Sequence, residues 1–254
     1  MRFNLFVLVS LLLTSAAYAG EKPAGIPWKT ETTPNFSIHY RHVHDIRAIA
    51  TACEAARTRV HQFWFADDEI GGWAPRCNVY VCGDSEEFSL AGRASAGGAG
   101  QSLVVGDGKK VTYRKIVLRA DDPRLFEDTL PHEVAHVVIG SHVDGEEIPL
   151  WLDEGMAAFA ESNERQQSLL LLARKEIVKL TDHQLVSLLN RTRYPTNEFE
   201  IARYYAISHS IVAFLRTNGR HPIASEPHAP QPFSKQLTRR QIDVGQNLLC
   251  ELQN

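Results

Sequence analysis

The segment Asp128-Thr-Leu-Pro-His132-Glu133-Val-Ala-His136-Val-Val-Ile-Gly140 sets two histidines four residues apart in an otherwise apolar run. As a helix, four residues advance about 6 Å and turn slightly more than once. Both imidazoles then project from one face, close enough to share a metal ion. Glu133 sits roughly 100° further round the axis, badly placed as a third ligand but able to reach a water on such an ion. Val137, Val138 and Ile139 favour a buried helix that continues past His136. Two ligands and a general base at this spacing are the arrangement of a zinc hydrolase.

The spacing alone is suggestive. With 11 His and 18 Glu in 254 residues, a His-Glu-x-x-His arises by chance in about 3% of shuffled chains. A third ligand decides the matter, and two residues compete for it. Glu154, in Trp151-Leu-Asp-Glu-Gly155, lies 18 positions after His136 and opens the next helical pattern. A short turn through 140–149 would lay that helix beside the first and complete a His2Glu set with the fourth position left to water. His142 follows His136 by six, which is the third-ligand spacing of metzincins. That class needs Gly three residues after the second His, and this chain has Ile139 there. The Val-Val-Ile run favours a continuing helix, so Glu154 is the preferred ligand.

Outward from this segment the pattern is mixed. Phe36–Tyr40, 78–81, 102–105 and 115–119 alternate like strands, and 44–65 has helical periodicity. Residues 21–35 are Pro-rich and expected to be irregular, and 91–100, rich in Gly and Ala, reads as a loop. Helices are expected over about 123–140, 150–162, 164–180, 182–190 and 198–218, with Gly219 as a stop. A small mixed sheet followed by a helical half makes the expected fold class α+β. The expected organisation is a signal peptide over 1–19, a sheet-containing lobe over 20–120, a helical zinc-binding lobe over 121–220 and a short irregular tail over 221–254.

Residues 1–19 read as an export signal. Arg2 is followed by the apolar run Phe3–Leu13 and by Ala17-Tyr-Ala19, a small-x-small cleavage site before Gly20. The run is too short to span a bilayer, and no later apolar stretch is long enough. The mature chain is therefore expected to be exported, periplasmic or extracellular, without stable membrane insertion. A net charge of −3 disfavours a nucleic-acid partner, which a phosphate-neutralising basic surface would recognise. Export permits disulfides among Cys53, Cys77, Cys82 and Cys250. Cys77 and Cys82 stand at the two ends of one strand, roughly 16 Å apart, so they cannot pair. Cys53–Cys77 is the favoured bridge, with buried free thiols the equal alternative.

Together these segments resemble the gluzincin zinc peptidases, in detail the peptidase-MA-like family of exported bacterial proteins. The matching stretches are 115–119, 128–138, 149–157 and 205–215, within about 100–220. The resemblance implies a zincin-like fold, Zn2+ on His132, His136 and Glu154, Glu133 as base, and a peptide or protein substrate. It also implies that strand 115–119 binds the substrate backbone through an open edge. Four residues after Glu154, where thermolysin-like gluzincins place an Asp that supports a histidine, stands Ala158, so another group must orient His132. Asp153 and Asp128 are the candidates for such support. Tyr205 is the candidate donor to the oxyanion, with His209 second, and Trp151 is expected in the core. A non-peptidase zinc hydrolase, a zinc-site protein without activity, and a metzincin-type site on His142 are the competing readings.

Overall fold

A computed structural model describes residues 27–42, 45–66, 69–92 and 98–217. The signal segment, Gly20, Gly219, Cys250 and the 221–254 tail lie outside the described residues. Among the described residues, five strands form one mixed sheet in the order β1-β2-β3-β5-β4. They are β1 (Lys29–Thr32), β2 (Phe36–Tyr40), β3 (Cys77–Cys82), β4 (Gly100–Gly106) and β5 (Val111–Arg119). The inner strands β2, β3 and β5 are parallel, and β1 and β4 close the two sides antiparallel. Seven α-helices accompany them: α1 (Ile46–Trp64), α2 (Ser85–Gly92), α3 (Leu130–His142), α4 (Leu150–Ala157), α5 (Asn163–Ile177), α6 (Asp182–Leu189) and α7 (Glu198–Thr217).

Alternation along the strands sets the two faces of the sheet. Ile38, Val79 and Ile116 are register partners on adjacent strands, and all three are fully buried. They meet the stripe Ile49, Cys53, Ala56 and Val60 of α1, whose spacing puts these residues on one helical face. Asp45 begins α1 by accepting the Ala48 amide, and Ser162 and Thr181 do the same for α5 and α6. Each such cap typically stabilises a helix by about 1 kcal/mol. Before α3 the chain makes one π-helical turn, Leu125–Thr129, and Pro131, which has no amide hydrogen to donate, sits in the first turn of α3.

α3 runs along β4. A Cβ on Gly100 would fall 2.6 Å from the Glu133 side chain, and one on Gly140 would fall 3.1 Å from Val104. α4 crosses α7 still more closely: a Cβ on Gly155 would lie 2.5 Å from the Ser208 carbonyl oxygen. Gly155 thus lets two backbones touch immediately after Glu154.

Two expectations need correction. Residues 29–32 are not irregular; they pair with β2 and form a side strand. Strand 115–119 has no open edge, because β5 lies between β3 and β4. The turn at 107–110 folds β4 back onto β5, so among the described residues the open edge of the sheet on this side belongs to β4. One hydrophobic core extends from Phe36 to Leu215 across the sheet and the helices, and α3 is packed between α1 and β4. The α+β class stands. Cys53, Cys77 and Cys82 are buried free thiols.

Candidate metal centre

α3 presents His132 and His136 toward α4, and α4 presents Glu154 back. One ligand atom from each of the three lies within 4.8 Å of the other two. The Nε2 atoms of the two histidines are 3.1 Å apart. Glu154 Oε2 is 3.2 Å from His132 Nε2, and Oε1 is 3.7 Å from His136 Nε2.

The far side of each imidazole faces a carboxylate. His132 Nδ1 is 2.7 Å from Glu161 Oε1, and His136 Nδ1 is 2.9 Å from Asp153 Oδ1, close but off-line for a hydrogen bond. An ionised carboxylate only accepts, so each Nδ1 carries its ring's hydrogen. In the neutral rings both Nε2 atoms then turn lone pairs toward each other and toward Glu154. Glu154 is 2% exposed, and its Oε2 has no well-aligned donor. Such a convergence of electron pairs, away from water, calls for positive charge at its centre. A divalent metal ion fits that demand, and carboxylate-backed imidazoles are the usual ligands for one.

Without a metal the positive charge comes from protons. Burial pushes the His132 imidazole down, but hydrogen bonds to Glu154 and Glu161 outweigh it and leave the ring well above the ordinary histidine value. Burial likewise opposes protonation of His136, yet Asp153 and Glu154 carry it up to about 9. Burial raises Glu154, and His136, His132 and the Tyr194 hydroxyl together bring it below the usual carboxylate range.

Glu133 sits one step outside this cluster. It is 8% exposed and packs against Gly100, with a hydrogen bond to Ser102 of β4. Burial pushes its carboxyl up, and the two histidines and Ser102 offset only part of the rise. A carboxyl raised toward neutrality is suited to taking and returning a proton.

Tyr205, on α7, has its ring 6.1 Å from the ring of His132. Burial first, then the charges of Glu154, Glu133 and Glu161, holds its phenol protonated. His209 is not in the cleft. It is 1% exposed, lies 4.5 Å from the Phe159 ring and bonds the backbone of Gly155. His142 is likewise excluded as a ligand: α3 continues to residue 142, and the ring stacks on Phe65 at 3.8 Å. Six residues of helix after His136 carry it about 9 Å along the axis. Trp151 is buried, as its sequence context indicates.

Asp153 supports His136, whereas Asp128 acts at one remove. Its carboxylate accepts the Ser162 amide at 3.0 Å and pairs with Arg124, whose guanidinium also reaches the Ser162 hydroxyl. These bonds anchor the chain beside Glu161. Glu161 and Tyr194 are functional neighbours that sequence reasoning missed. Glu161 stands just past the end of α4, where a 3-10 turn over Ala158–Ala160 gives way to extended backbone, and no helical spacing marks it in the sequence. Tyr194 lies between α6 and α7 and donates its hydroxyl hydrogen to Glu154 Oε1; no local pattern marks it.

Compared with known proteins, the chain matches no family model and no curated relative. The reading of the site rests on its own geometry.

Proposed function

We propose that the chain is an exported zinc-dependent peptidase of gluzincin type, with His132, His136 and Glu154 holding Zn2+. The observation that carries this reading is the juxtaposition of three elements: the His-His-Glu cluster, the buried carboxyl of Glu133, and the open edge of β4 beside them. Two nitrogens on a tetrahedral zinc ion, each bonded at about 2.0–2.1 Å, lie about 3.3 Å apart. The observed 3.1 Å between the two Nε2 atoms is close to that. Zinc at this position supplies Lewis acidity, polarising a carbonyl and making water acidic enough to lose a proton near neutral pH.

The residues around it have separable tasks. A peptide bound in extended form can add to the free edge of β4 through main-chain hydrogen bonds. That places its backbone beside Ser102 and Gly100, next to Glu133. Glu133 accepts a proton from the attacking water and returns it to the leaving amine nitrogen. Tyr205, kept protonated, can donate to the carbonyl oxygen as charge develops there. Glu161 and Asp153 hold the imidazoles in the tautomer that leaves Nε2 free. Among the described residues no helix is long and apolar enough to cross a membrane.

The test is Glu133→Gln in the mature chain, assayed on casein alongside metal analysis. The variant keeps one zinc per chain and loses hydrolysis by several orders of magnitude, since only the proton carrier is removed. A zinc-loaded wild-type chain that cleaves neither casein nor a diverse peptide library contradicts the peptidase reading.

A further inference from the structure

The segment 190–197 joins α6 to α7 and brings Tyr194 to Glu154 and Tyr205. Asn190 closes α6, with its amide bonded to the Val186 carbonyl. Asn197 opens α7, its side-chain oxygen accepting the amides of Phe199 at 2.9 Å and Glu200 at 3.3 Å. Both ends are therefore fixed on helices. Between them Tyr194 precedes Pro195, which is buried, and a residue before proline is restricted to extended backbone. The segment is thereby stiffened where it passes the cleft.

Tyr194 is divided in its surroundings. The residue is 48% exposed, yet its hydroxyl reaches the buried carboxylate of Glu154 and bonds Oε1. Its ring meets that of Tyr205 edge-on, with centroids 6.4 Å apart. A tyrosine in a connecting segment has no packing reason to send its hydroxyl to a carboxylate that is 2% exposed. The consequence for Glu154 is specific. Both oxygens face the histidines, but Oε1, 3.7 Å from His136 Nε2, is engaged by a donor, whereas Oε2, closer at 3.2 Å from His132 Nε2, is not.

We propose that Tyr194 is a positioning residue for the third metal ligand: its hydroxyl holds the Glu154 carboxylate so that Oε2 alone is offered to the ion. The inference rests on the metal-site reading above, and it divides two tyrosines that share the cleft. Tyr194 acts on metal affinity through Glu154. Tyr205, which among the described residues has no hydrogen bond to His132, His136 or Glu154, acts on the reacting substrate. Without the Tyr194 hydroxyl the carboxylate can rotate, and both oxygens compete for the same position. Groups that orient metal ligands in this way typically contribute 10–100-fold in affinity.

The experiment titrates zinc into metal-free wild type, Tyr194→Phe and Tyr205→Phe, with a chromophoric chelator as competitor. Tyr194→Phe removes one oxygen from a half-exposed ring, so the fold is retained. Its zinc affinity should fall about 10–100-fold, while that of Tyr205→Phe stays within about twofold of wild type. The same substitution in a Glu154→Ala background should change affinity by less than about twofold, because the group through which it acts is gone. Cobalt(II) in the site gives a second readout: Tyr194→Phe should alter the visible absorption that reports the ligand field. Wild-type affinity and spectrum in Tyr194→Phe overturn the inference and leave the metal site standing. An undiminished loss in the Glu154→Ala background shows that Tyr194 does not act through Glu154, and also overturns it. A wild-type chain that binds no zinc overturns both.

Discussion

Glu133 and Glu154 are two buried carboxyls on either side of the same cluster, and their surroundings drive them apart. Glu133, at the start of α3, faces β4 and gains one hydrogen bond there, from Ser102; burial dominates and its carboxyl rises. Glu154, in α4, faces His132 and His136 directly and receives the Tyr194 hydroxyl; these outweigh burial and its carboxyl falls. The first is poised to exchange a proton and the second to stay charged. In the proposed peptidase, chemically identical side chains take the roles of base and ligand from what packs around them.

The largest change to one side of that comparison comes from Gly100. A methyl group there would sit 2.6 Å from both Cγ and Oε1 of Glu133 and 2.8 Å from Thr129 Cγ2. Gly100→Ala should push the Glu133 carboxyl off its position and leave the His-His-Glu cluster untouched. Hydrolysis is expected to fall on the order of a hundredfold, the cost of misplacing a reacting group by about 1 Å. Zinc content should not change. A variant with full activity would show that Glu133 need not lie against β4.

A smaller effect separates the ligands from the base by pH. With the metal stripped by a chelator, protons on His132 and His136 neutralise the cluster. Their folded values lie above the ordinary 6.5, about 9 for His136. The stability they contribute is complete below about pH 6.5 and is lost as pH rises through about 9. Glu154 runs the other way: its contribution holds above the ordinary 4.5 and is lost as pH falls below it. The stripped protein should therefore lose several degrees of Tm between about pH 6.5 and 9. Saturating zinc should abolish most of that decline, because the ion replaces the protons. Parallel curves with and without zinc would contradict it.

Much of this was legible in the sequence where one element suffices. The histidine spacing, the buried helix and the place of Glu154 all follow from helical periodicity; α5, α6 and α7 lie close to their expected spans, whereas α3 begins seven residues later than expected, after a π-turn, and α4 gives way to a 3-10 turn after Ala157. What was not legible depends on pairing between elements. Strand character shows at 102–105 and 115–119, but alternation does not reveal which strand ends on the outside. The turn at 107–110 folds β4 beyond β5 and transfers the open edge to it. β1, short and mostly exposed, has almost no hydrophobic pattern to read. Tyr194 is brought to Glu154 by the packing of α4, α6 and α7, which no local motif encodes. Glu161 belongs with Tyr194, since the α-helix carrying Glu154 ends at Ala157 and a 3-10 turn delivers Glu161 to His132.

Whether Glu154 is the third ligand is decided by the metal stoichiometry of purified wild type, Glu154→Ala and His142→Ala. The wild type and His142→Ala should each hold one zinc per chain, because the ring of His142 is stacked on Phe65 at the far end of α3. Glu154→Ala should lower zinc affinity by orders of magnitude, and the Tm difference made by a chelator should shrink with it. A full site in Glu154→Ala together with an empty one in His142→Ala would contradict the assignment of Glu154 as the third ligand, and with it the division of the two buried glutamates into base and ligand.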